Sequence, residues 1–121
     1  MEGLTLQIQG GVATLAIDRP QARNALNLAT MRSLGLALGE AESKRARVLV
    51  IRGAGDKAFC AGGDLKELEH MRSAEQAAQM ARTMRTTLDR LSQLRMPVIA
   101  ALNGVRRISR VRRAGALFPS R

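Results

Sequence analysis

Lys57-Ala58-Phe59-Cys60-Ala61-Gly62-Gly63-Asp64-Leu65-Lys66-Glu67 is the stretch on which the reading of this 121-residue chain turns. Two glycines stand directly before an aspartate, and the aspartate opens a short helical stretch reaching about Met71. Glycines at the mouth of a helix leave backbone N–H groups bare of side chains, and the helix N-terminus lends those donors partial positive charge. Such a turn suits a developing oxyanion, for instance a thioester carbonyl becoming an enolate. The same residues also suit a plain turn with Asp64 as a surface helix cap, because a pair of glycines is a weak motif.

Upstream of this stretch, Leu4, Leu6 and Ile8 alternate with Thr5, Gln7 and Gln9, the pattern of a half-buried strand. Gly10-Gly11 makes a tight hairpin turn, Val12 to Ile17 returns, and Asp18-Arg19-Pro20 ends the strand. After a polar loop from Pro20 to Leu26, Asn27 is placed to cap a helix. Its apolar face is Leu28, Met31, Leu34, Leu38 and Ala41. Val48 to Ile51 is a continuous apolar run and reads as a strand covered on both faces. Downstream, Ser73 and Gln76 fit a capping box, and Met80, Met84, Leu88 and Leu91 stripe a long helix. Pro97 breaks it, and Val98 to Leu102 reads as another buried strand. The order β-β-α-β-(α)-α-β predicts an α/β fold with a mostly parallel sheet.

Aromatic residues make up 2% of the chain, with no Trp and no Tyr, so the core is aliphatic and base-stacking platforms are lacking. The formal net charge of +10 is concentrated at one end. Arg106, Arg107, Arg110, Arg112, Arg113 and Arg121 leave the first 105 positions at 14 basic against 10 acidic residues, or +4. Residues 1–105 are therefore read as one domain, and 106–121 as a basic, disordered tail. Cys60 is the only cysteine and excludes an intrachain disulfide. With no leader pattern and no run near the ~18 apolar residues of a membrane span, the expectation is a cytoplasmic protein with no membrane partner.

Four segments in order resemble the enoyl-CoA hydratase/isomerase (crotonase) family. Ile17-Asp18-Arg19-Pro20 with Arg23-Asn24-Ala25-Leu26-Asn27 looks like the family's coenzyme A loop. Val48 to Gly53 matches its next strand and following glycine. Phe59-Cys60-Ala61-Gly62-Gly63-Asp64-Leu65 looks like its oxyanion segment. Met96-Pro97-Val98-Ile99-Ala100-Ala101-Leu102-Asn103-Gly104 resembles the strand that follows. The resemblance implies a partial ββα spiral over residues 1 to about 105 and an acyl-CoA substrate, with coenzyme A entering as part of that substrate and no metal. It implies that the Gly63 N–H is one of two donors to the thioester oxygen, and that Ala61 lies beside the adenine end of coenzyme A. Asp64 and Leu65 would shape the pocket, Arg23 and Ala25 would line the coenzyme A loop, and Lys57 and Lys66 would meet its phosphates as point charges. Intact members are expected to be homotrimers that hydrate or isomerise enoyl-CoA esters.

The family pattern stops at Asn103-Gly104-Val105. Arg106-Arg107-Ile108-Ser109-Arg110 stands where the family has a glycine triplet, and no acid follows Asp89. The triplet would bring the second oxyanion donor, and a carboxylate within reach is what general acid/base addition of water needs. The sequence therefore reads as a truncated member, inactive alone and marginal as a monomer, with a frameshift as the hypothesis for its tail. The neighbouring reading frames of the encoding DNA test that: no crotonase sequence there rejects it. Two other classes of function are a basic module that holds nucleic acid or an anionic surface through the tail, and a non-catalytic partner of intact crotonases. The missing aromatics make the nucleic-acid reading the weaker one. Cys60 reads as packing, and His70, the only histidine, as a surface position without metal-site partners.

Overall fold

A computed structural model describes residues 1–55, 58–60, 62–101 and 105–106. Strands β1 (Leu4–Gln9) and β2 (Val12–Ile17) form the opening hairpin. Gly10 and Gly11 turn it with φ of 60° and 81°, values open to glycine and strained for other residues. A 3-10 turn at Pro20–Ala22 leads to α1 (Leu28–Ser43), then β3 (Val48–Gly53), β4 (Ala58–Cys60) and α2 (Leu65–Glu69). The long helix α3 (Ala74–Ser92) is followed by β5 (Val98–Ala101) and β6 (Val105–Arg106). Four strands make one sheet in the order β1-β2-β3-β5, antiparallel at the hairpin and parallel across β2-β3 and β3-β5. β4 and β6 pair in parallel as a second, two-stranded sheet.

Register places Leu4, Leu15, Leu49, Ile51 and Val98 on one side of the larger sheet, where they pack into a single core. Met31, Leu34 and Leu38 of α1 and Met80 and Leu91 of α3 join them, as their helical spacing predicts. The caps follow the sequence. Asn27 accepts from the Thr30 N–H at 2.8 Å, and Ser73 accepts from the Gln76 N–H at 3.2 Å. The Ser73 box closes one residue early, because Gln76 reaches back to the Arg72 N–H at 2.7 Å.

Four points differ from the sequence reading. Val48 to Ile51 is covered on one face only, with Leu49 and Ile51 buried and Val48 and Val50 half-buried. In β5, Val98 is buried while Ile99 is 39% exposed, so this strand too has one covered face. The strand β4 is an addition: three residues are too few to show a period, and its partner β6 lies far downstream. Arg106, read as the first residue of the tail, has its backbone in β6; residues 107–121 lie outside the described residues.

Candidate functional site

The loop after β2 bends through two consecutive residues in the left-handed region, Arg23 at φ 54° and Asn24 at φ 59°. For side chains with a Cβ this conformation is costly, and Asn bears it best because its short amide can bond locally. Asn24 is 1% exposed and fully engaged. Its Oδ1 accepts from the Arg19 N–H at 2.8 Å, its Nδ2 donates to the Ala54 carbonyl at 3.1 Å, and its own N–H donates to the Arg19 carbonyl at 2.8 Å. These bonds turn the chain so that Ala25 and Leu26 run alongside the glycine segment.

There, Leu26 pairs with Gly63 as an isolated parallel bridge. The Leu26 N–H donates to the Gly62 carbonyl at 2.7 Å, and the Asp64 N–H donates to the Leu26 carbonyl at 3.0 Å. Backbone polar groups alternate in direction along an extended segment, so these two bonds leave the Gly63 N–H pointing away from Leu26. No acceptor among the described residues is bonded to it. Gly62, at φ 94°, supplies the backbone conformation that the turn requires. Gly63 itself is needed less strictly: a Cβ there would meet the Met84 Cε at 3.5 Å, an ordinary contact.

Asp64 anchors the other wall. Its Oδ1 accepts from the Lys66 and Glu67 N–H groups at 3.0 and 3.3 Å, and its Oδ2 pairs with Arg19 at 3.1 Å. Burial pushes its carboxyl up, but the Glu67 amide, the Arg19 hydrogen bond and charge, and the Lys66 amide outweigh that and hold it below its ordinary value. The Arg19 guanidinium also donates to the Ala25 carbonyl at 2.6 Å. Glu67 of α2 accepts from the Leu28 N–H, the first amide of α1, at 2.7 Å. Asp64 takes the Lys66 and Glu67 amides of the five-residue helix α2, while the Gly63 N–H has no acceptor among the described residues.

Between these walls lies a cleft of about 390 Å³, lined by Arg19, Arg23, Ala25, Gly63, Asp64, Leu65 and Lys66, with Gln21 and Ala22 at its edge. Arg23, Lys66 and Leu65 are exposed at its rim, with Leu65 71% accessible, and Ala25 is buried. Six of the eight site residues named from sequence, Gly63, Arg23, Ala25, Asp64, Leu65 and Lys66, are thus brought together. Ala61 and Lys57 lie outside the described residues. The sequence reading did not single out Arg19, Asn24 or Glu67. The signal available was the Arg19-Pro20 and Asn24 positions of the coenzyme A loop motif. A larger depression of about 580 Å³ lies between α1 and α3, lined by Arg32, Arg82 and Arg90 among others, and another of about 610 Å³ lies beside Arg45 and Arg95.

Cys60, just before the turn, is fully buried, and burial pushes its thiol up against a smaller lowering effect of the Gly62 backbone. It is a packing residue rather than a nucleophile. His70 is exposed at the end of α2, with Nδ1 2.6 Å from the Lys66 carbonyl oxygen. No group of metal-ligating side chains occurs among the described residues, and no helix there is long and apolar enough to cross a membrane.

A mixed sheet wound through ββα order, with a glycine turn lining a cleft beside the first hairpin's exit loop, is the arrangement of a crotonase-type fold. The sequence profile of the enoyl-CoA hydratase/isomerase family matches residues 7–107, and the chain belongs to that family. It is 35% identical to the short-chain-enoyl-CoA hydratase of Clostridium acetobutylicum over 105 residues, 86% of this chain and 40% of that protein. It is 38% identical to the putative enoyl-CoA hydratase/isomerase YngF of Bacillus subtilis over 94 residues, 77% of this chain and 36% of that one. Among solved structures, it superposes on an enoyl-CoA hydratase from Bacillus anthracis with a TM-score of 0.79 at 37% identity, covering 85% of this chain and 40% of that chain. The chain therefore spans about 40% of the length of the relatives it matches.

Proposed function

We propose that the cleft holds the thioester end of an acyl-CoA, with the Gly63 N–H donating to the thioester oxygen. Arg23 and Ala25 then line the coenzyme A loop, Asp64 and Leu65 shape the pocket around the donor, and Lys66 meets a phosphate. Ala61 and Lys57 belong to the same reading, beside the adenine end and the phosphates. The observation that carries it is the Gly63 amide: it stands in the cleft wall, turned away from Leu26, with no acceptor among the described residues. A buried or half-buried N–H without an acceptor is costly, and a developing enolate oxygen is the acceptor it would best serve.

The reaction served is that of the family, hydration or isomerisation of enoyl-CoA esters. The described residues supply binding and carbonyl polarisation, not proton transfer. Asp64 is the only carboxylate lining the cleft among them, and a carboxylate held ionised by Arg19 is a poor general base. Crotonyl-CoA is therefore expected to bind without turnover by the 121-residue chain. The test is an amide NMR titration. Crotonyl-CoA should shift the Gly63 N–H downfield, and a thioether analogue lacking the carbonyl should not. A Gly63 signal indifferent to both ligands rejects the reading.

A further inference from the structure

Two chain segments wall the cleft and are joined across it by backbone bonds and an ion pair. The Arg19–Leu26 loop carries the left-handed pair Arg23 and Asn24, and the Gly62–Glu67 turn carries the Gly63 amide, which has no acceptor among the described residues. Across the gap run the two backbone bonds at Leu26 and the ion pair between Arg19 and Asp64. The side chains of that pair are 14% and 12% exposed, so water screens them little. One guanidinium nitrogen of Arg19 serves both walls, donating to the Ala25 carbonyl on its own side and to the Asp64 carboxylate on the other. The peptide N–H of the same residue is taken by Asn24, so Arg19 is fixed at its backbone and at its tip.

We propose that Arg19 is the positioning residue of this cleft: it sets the separation of the two walls that leaves the Gly63 amide open, and it neutralises the Asp64 charge beside that amide. The neutralisation matters because an unpaired carboxylate next to the donor would repel an oxyanion or a phosphate at that point. The guanidinium matters because one of its terminal nitrogens, at the reach of the arginine stem, faces the carbonyl and the carboxylate together while the group stays charged. Arg19 acts through Asp64 and the Leu26 bridge and is not itself a catalytic group. The ligand part of this inference rests on the acyl-CoA reading above; the positional part does not.

Hydrogen exchange on the full chain separates the two. In Arg19→Gln, the Leu26 and Asp64 amides should exchange about tenfold faster or more, while those of Leu15 and Leu49 in the sheet keep their rates. Arg19→Lys should fall between Gln and the native chain. Unchanged exchange at Leu26 and Asp64 overturns the inference, and so does equal acceleration at every amide, which would make Arg19 a general stabiliser. If Arg19→Gln does not fold, Asp64→Asn keeps the cap acceptor, removes the charge, and should show the same localised pattern in weaker form; uniform or absent acceleration there overturns the inference equally. Crotonyl-CoA binding then gives the second readout. A native chain that binds and an Arg19→Gln chain weakened about tenfold support both statements. Equal binding by the two chains overturns the neutralising role. A native chain that does not bind removes the acyl-CoA reading and leaves the exchange result to judge Arg19.

Discussion

The inner face of the large sheet and the loop that walls the cleft keep their shapes by opposite means. Behind the sheet, Leu15, Leu38, Leu49 and Phe59 are buried at 0–1% exposure among many apolar neighbours, and each contact is one of a crowd. In the loop, a handful of directional bonds holds two residues in a conformation they would otherwise avoid. A crowded core loses stability in proportion to what is cut away. A loop held by a few bonds loses its shape when one of them goes, at modest cost to the rest.

The sharpest way to break this contrast is Leu38→Ala. Leu38 is fully buried, and the change should cost about 2–5 kcal/mol of global stability, read from the midpoint of urea unfolding. A loss under ~1 kcal/mol would mean that the core is loosely packed. Next comes Asn24→Ala, which removes the side-chain bonds to Arg19 and Ala54 and the residue best suited to φ 59°. It should cost about 2–3 kcal/mol, with the excess exchange confined to residues 19–26. Exchange spreading evenly into α1 and β3 would erase the distinction between the two regions.

A smaller effect belongs to acid. Asp64 titrates below its ordinary value, so the unfolded chain binds its proton first as the pH falls. Its contribution is fully present above the unfolded value of about 3.9 and is lost as the pH drops through the lower folded value. The groups facing Asp64 are Arg19 from the loop and Lys66 and Glu67 from α2. Thermal melts between pH 5 and 2 should fall less steeply for Asp64→Asn than for the native chain, and parallel slopes would refute the assignment. Smallest of all is Gly63→Ala. With Met84 and Met80 methyl groups at 3.5 and 3.8 Å from the new Cβ, stability should stay within about 0.5 kcal/mol, measured by the same melts. A large loss would show that the glycine is held for the backbone and not for access to its amide.

The contrast also explains what could be read in the chain beforehand. Alternation at Leu4, Leu6 and Ile8, helical spacing at Met31, Leu34 and Leu38, and the caps at Asn27 and Ser73 are local signals, and each was legible. The cleft residues came from motif resemblance, which pointed to Arg23, Ala25 and Gly63 without showing what joins them. The Arg19–Asp64 pair, the Asn24 bond to Ala54 and the Glu67 bond to Leu28 cross between distant segments and leave no periodic trace. The same holds for β4, whose partner is not local. That Asp64 takes the Lys66 and Glu67 amides was one of two readings the spacing allowed, and spacing does not say which of them holds.

Cys60 turns this architecture into something that can be timed. As the chain's single thiol, fully enclosed two residues before Gly62, it gives a maleimide one place to react and no route while β4 stays in place. The labelling half-life is then a clock for how often the core around β4 comes open, and its dependence on denaturant separates a local breath from loss of the whole fold.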